Sequence, residues 1–188
     1  MRRLVTHIVL AGALIALAAA AGAVAIEDVV IETWVGTGGS RALLVVDFGP
    51  ESFAFGYRFD GSKTGFDMVN DIATATDLDI VDDTEYGGHL INTFGYHGYY
   101  LSYDSHTWSS THWWEYWTSP DGDVWTSSWV GCGDRTLVDG TWDGWTWSPA
   151  WPAVGPAPDV PLVPEPSSLA ALCSLAGLAA SIKLLRRR

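Results

Sequence analysis

Cysteine is almost missing from this chain: its 188 residues hold only Cys132 and Cys173. Once the apolar C-terminal segment containing Cys173 is set aside, no intramolecular disulfide is left to form. The domain must then rest on its core. Cationic side chains are the second scarcity. Ten Lys and Arg stand against 22 Asp and Glu. Six of the ten lie at the two ends, leaving Arg41, Arg58, Lys63 and Arg135 between residues 26 and 163 against 21 acids. A net charge of −17 repels phosphate backbones and anionic headgroups, so nucleic acid is excluded as a partner. Cations, neutral sugars and basic partners remain. Enzyme signatures are absent as well: there is no Gly-x-Ser-x-Gly elbow, no His-Glu-x-x-His helix and no Cys/His pair in a recognisable context. His89, His97, His106 and His112 follow at gaps of eight, nine and six, which no zinc signature uses. Gly131-Cys132-Gly133-Asp134 reads as a turn with Cys132 as a small buried hydrophobe.

What is present begins with the ends. Arg2 and Arg3, the apolar run Ile8 to Ala21 and the small-x-small step Ala23-Val24-Ala25 form a secretory signal peptide over residues 1–25, cleaved after Ala25. At the other end, Ser167 to Ile182 is 16 residues without formal charge, short of the ~20 of a comfortable span. Lys183, Arg186, Arg187 and Arg188 follow it as a cluster retained on the cytoplasmic side. Residues 153–163 are rich in proline and read as an extended spacer. They leave 26–152 as an ectodomain long enough for one core.

Pro164-Glu165-Pro166, the apolar span and the terminal Arg run over 164–188 resemble the PEP-CTERM sorting signal of exopolysaccharide-producing Gram-negative bacteria. The resemblance implies recognition by an exosortase-type sorting enzyme and cutting near Pro164-Glu165-Pro166. It also implies a transient stay in the inner membrane through a C-terminal helix, then release to the cell surface or matrix.

The ectodomain pattern predicts an α+β fold, with one main helix on a twisted, largely antiparallel sheet. Val29 to Trp34 alternates as a first strand. Ala42 to Phe48 reads as a strand buried on both faces, paired across Gly49-Pro50 with Ser52 to Phe59. Thr64-Gly65-Phe66-Asp67 has capping-box spacing, and Phe66, Val69 and Ala73 follow as a stripe flanked by Met68 and Ile72. A strand is expected from Leu90 to Phe94. Asp77, Asp79, Asp82 and Asp83 form a dense oxygen cluster without the Gly and Glu of an EF-hand. A solvated acidic loop is the expected reading and no cofactor is called for; a weak calcium site is the alternative.

The last third is crowded with tryptophan. "HWWEYWTSPDGDVWTSSW" predicts a hairpin around Pro-Asp-Gly, and "DGTWDGWTW" a final strand. Trp113 and Trp117 have one parity, Trp114 and Tyr116 the other, whereas a half-buried strand needs aromatics on one face only. Either a second layer covers the sheet or one face meets a ligand. Placing Trp114 and Tyr116 outward gives a candidate platform of Trp114, Glu115, Tyr116, Trp125, Trp145 and Trp147. There, rings would stack on aromatics and the carboxylate would accept hydroxyl hydrogen bonds. Over residues 60–147 the order of elements, with Trp-Trp-Glu-Tyr-Trp and Leu137-Val138-Asp139-Gly140 before a Trp strand, is similar to the transcobalamin C-terminal-like domain. That β-grasp resemblance implies a module covering a small ligand such as a corrinoid. The expectation is a non-enzymatic exported protein binding a small ligand or neutral glycan, exopolysaccharide included. The alternatives are a structural matrix protein and, third, a glycan-active enzyme using Glu115.

Overall fold

The computed structural model describes residues 24–84, 89–104, 111–149 and 154–164. Two sheets and one helix enclose the main core. Strands β1 (Ile31–Gly36), β2 (Ser40–Asp47), β3 (Ser52–Phe59), β7 (His112–Ser119), β8 (Thr126–Ser127) and β9 (Trp142–Pro149) form a six-stranded sheet in the order β1-β3-β2-β9-β7-β8. Strands β4 (Asp79–Asp83), β5 (Leu90–Tyr96) and β6 (Tyr99–Ser102) form a second. Helix α1 spans Gly65–Ala75.

The β2–β3 hairpin follows the alternation of its residues. Ala42, Leu44 and Val46 sit opposite Tyr57, Phe55 and Phe53 and fill the main core, while Leu43 and Val45 turn to the other face with Ala54. The expectation of a largely antiparallel sheet holds for five of the seven strand pairings among the described residues, with two exceptions. β1 runs parallel to β3, and β2 parallel to β9, so the sheet is mixed. The first parallel join arises because the short β1–β2 connection crosses the end of β3. A side chain at Gly38 (φ 147°) would overlap the backbone of Phe59, which only glycine avoids.

Helix α1 starts as its sequence predicts. Asp67 N–H donates to Thr64 Oγ1 at 3.1 Å and Thr64 N–H donates back to Asp67 Oδ2 at 2.7 Å, a reciprocal cap worth about 1 kcal/mol. Met68, Val69 and Ile72 are buried against the sheets, with Phe66 half-buried beside them.

The other face of the large sheet is also covered. Leu43, Val45, Ala54 and Trp142 pack under Val29, Ile31, Trp34, Trp125 and Val160. Part of that cover is the proline-rich segment, which is extended but is no spacer. Val30 N–H donates to Pro161 O and Val163 N–H to Asp28 O, each at 2.7 Å, around an antiparallel bridge between Val29 and Leu162. Buried carboxylates anchor the rest: Gly155 N–H donates to Glu115 Oε2 at 2.8 Å and Asp159 N–H to Asp47 Oδ2 at 3.0 Å. The ordered fold therefore runs past 152, and residues 154–163 form a strap rather than a linker. Among the described residues no helix is long and apolar enough to cross a membrane. The signal helix, the C-terminal helix, Glu165, Pro166, Arg186, Arg187 and Arg188 lie outside the described residues, whereas Ala25 and Pro164 are exposed at the edges of the fold.

Candidate functional site

Strand β7 carries the tryptophan-rich stretch, and both of its faces are packed. Trp114 is 1 % exposed and donates its indole N–H to Leu101 O at 3.0 Å, edge-on to Phe48 and Phe94. Tyr116 stacks on Trp145, ring centres 4.5 Å apart. On the opposite face Trp117 is buried with its indole N–H on Thr146 Oγ1 at 3.1 Å. Glu115, 2 % exposed, accepts from Ser127 Oγ and from the strap at Gly155.

The open platform is therefore corrected, and the physical reason is that both faces are covered: the second sheet and helix α1 close over Trp114, Tyr116 and Trp145, while the strap and the N-terminal segment cover the opposite face. Trp114, Tyr116, Trp145 and Trp147 share the inner face. Glu115 belongs to the outer one, and half-buried Trp125 packs over that outer face against Trp142. The Pro-Asp-Gly hairpin is also looser than expected. Only Trp117–Ser127 and Thr118–Thr126 pair, because Asp121 Oδ1 takes the N–H groups of Asp123 and Val124 and turns the chain aside.

Three of the expected residues nevertheless meet in a concavity. A pocket of about 250 Å³ is lined by Trp113, Trp114, Tyr116 and Trp145 together with His89 to Ile91 and Ser128 to Cys132. Trp129, one of its lining residues, is 87 % exposed. Trp113 contributes a buried indole N–H with no acceptor among the described residues, a donor whose desolvation goes uncompensated by them.

A charged network supports the pocket from within the core. Asp143 is fully buried; its carboxylate accepts from Tyr116 Oη at 2.7 Å and from Arg135 Nε at 2.5 Å. Burial pushes the Asp143 carboxyl above its ordinary range, against the opposing pull of Arg135 and Tyr116. The Tyr116 hydroxyl is pushed far up by burial and then by the Asp143 charge, so it remains a donor. Gly65 makes room: a β-carbon there would sit 2.5 Å from Asp143 Oδ2. The same environment bears on Cys132. Burial, then Asp143, raises its thiol, whose proton goes to His89 O at 3.3 Å. A thiolate nucleophile needs the opposite shift, so Cys132 packs as an apolar wall. The imidazole of His89 is engaged with Asp82 at 2.7 Å and stacked 3.5 Å from Phe66.

The acidic candidates do not converge. Asp79, Asp82 and Asp83 are strung along β4, where successive side chains alternate, and Asp77 precedes the strand. Among the described residues no group of three His, Cys, Asp or Glu is placed to hold a metal ion. Residues missed from the sequence are Asp143, Arg135 and the 128–131 wall. Asp143 left a trace: it is an acid with the same parity as Trp145 and Trp147 in an aromatic strand. No family model, curated protein or solved structure matches this chain.

Proposed function

We propose that this is an exported, non-enzymatic binding module that takes a small uncharged ring into the aromatic pocket beside Trp129. The pocket itself is the observation that carries the reading: four aromatic residues line one hollow, an exposed tryptophan joins them, and the Trp113 indole N–H lacks an acceptor among the described residues. At about 250 Å³ it lies just under the roughly 300–1,000 Å³ of sites that enclose drug-sized ligands. A single sugar ring or heterocycle suits it; a corrinoid is too large. The capped helix on a mixed sheet is compatible with a β-grasp-like module, and the sorting motif at 164–188 supports delivery to the cell surface or matrix through an exosortase-type enzyme.

The test is ligand-observed NMR with neutral monosaccharides and small neutral heterocycles, on the wild type and on Trp129→Ala. Binding by a member of either class that the substitution weakens supports the reading. Absence of binding across both classes, or binding indifferent to Trp129→Ala, refutes it. A second reading, a structural matrix protein, is favoured by the full burial of Trp114, Trp142 and Trp145 in two separate layers.

A further inference from the structure

Two of the four cations between residues 26 and 163 stand side by side. Arg41 on β2 and Arg58 on β3 are direct cross-strand partners. Like charges in that position destabilise a sheet, and this domain has 21 acids with which it could have separated them. The neighbouring carboxylates do not neutralise the pair. Asp60 and Asp139 are turned to the backbone N–H groups of Gly39 and Arg41, at 2.9 and 2.7 Å. Glu27 alone approaches, 3.5 Å from Arg41 Nη1, with its side chain 72 % exposed. Among the described residues no carboxylate lies within ion-pair distance of Arg58. Its guanidinium is instead 4.8 Å from the ring centre of Trp34. Trp34 is fixed in turn, since it lies against Gly56, where any β-carbon would overlap the indole. Stacking of this kind orients a planar fork and leaves its N–H edges free.

These residues line an open groove of about 400 Å³ with Ile26, Val29 and Ile31 as apolar wall. It involves the outer face of the sheet, apart from the aromatic pocket. We propose that this groove binds a small carboxylate-bearing ring of uronate type. Arg58 takes the carboxylate through its fork with Arg41 beside it, and the ring body rests on the apolar wall. Bidentate recognition by arginine suits a planar carboxylate, and the net charge of −17 favours a single anionic residue over a long polyanion. Glu27 holds the anion position beside Arg41.

Calorimetric titration of the exported protein with galacturonate, and with galactose as the uncharged counterpart, tests this. Galacturonate should bind at least tenfold more tightly than galactose. Arg58→Gln should weaken galacturonate by roughly tenfold or more. Arg58→Lys, which keeps the charge and loses the fork, should also weaken it, and Glu27→Gln should tighten it by removing the competitor. Both Arg58 variants alter an exposed side chain, so thermal unfolding should confirm an unchanged fold. No galacturonate binding, equal affinity for galactose, or wild-type affinity in Arg58→Lys would overturn the proposal.

Discussion

Removing Arg135 should expose what the buried ion pair does. Its guanidinium is the only cation on Asp143 among the described residues, and the carboxylate is fully enclosed. Arg135→Ala leaves that charge with one hydrogen bond, from Tyr116. Breaking a buried pair from one side costs about 3–5 kcal/mol, so a loss of that size is expected at pH 8. Asp143 titrates above its ordinary value because burial outweighs Arg135 and Tyr116. For an acid raised in the folded state, the stability contribution is complete below the unfolded value and is lost as pH rises through the folded one. Without Arg135 the folded value rises further. At pH 4.5 the carboxyl should then be protonated, and the cost of the substitution should fall toward the roughly 1 kcal/mol of an ordinary replacement. Urea unfolding followed by tryptophan fluorescence at both pH values measures this, with unchanged slopes marking unchanged compactness. Arg135→Met with Asp143→Asn, which removes both charges, should cost less than Arg135→Ala alone at pH 8. Equal costs at the two pH values, or a double variant no better than the single one, would refute the argument.

Other expectations follow from the two packed faces. Trp114→Ala and Trp117→Ala should each cost about 3–5 kcal/mol, whereas Trp129→Ala should stay within about 0.5 kcal/mol; denaturant midpoints separate them. Thr64→Ala should cost about 1 kcal/mol. Backbone N–H bonding from Thr64, which Thr64→Ala retains, holds the Asp67 carboxyl below its usual range, so the stability lost in Asp67→Ala should be seen above pH ~4 and vanish on further acidification. Ending the chain at residue 153 should remove the strap and cost about 3 kcal/mol or more, from lost burial and hydrogen bonds. Mass spectrometry of surface-released protein should find a C-terminus near Pro164-Glu165-Pro166, and recovery of intact Arg188 from that pool would refute sorting by cleavage.

Local rules carried much of the fold. The β2–β3 hairpin, the capping box at Thr64 and strand β9 were legible because each depends on near neighbours: alternation, a side chain reaching three residues, a glycine after a turn. The parity of Trp114 and Tyr116 was not legible. Which face of a strand is covered depends on what packs there, and the cover on one side comes from residues 154–163, whose composition suggests a free linker. The pocket was half legible. Trp114, Tyr116 and Trp145 were read as binding residues for their chemistry, but their hollow is completed by residues distant in sequence, His89 to Ile91 and Ser128 to Cys132. The Arg41–Arg58 pair was invisible for a related reason: seventeen positions apart in sequence, they become neighbours only through hairpin register.

The strap also sets an order of events. Its contacts join the first residues of the domain to the last, Val29 to Leu162 and Asp28 to Val163. A chain that emerges from its N-terminus can assemble the β2–β3 hairpin and helix α1 early. Leu43, Val45 and Ala54 are only partly covered, by Val29, Ile31 and Trp34, until later residues such as Trp125 and Val160 arrive. Closing so wide a loop is slow relative to local pairing, so the outer face is the last to become dry and, until then, the most exposed to self-association. The ten residues that look like a stalk thus decide when the protein is finished.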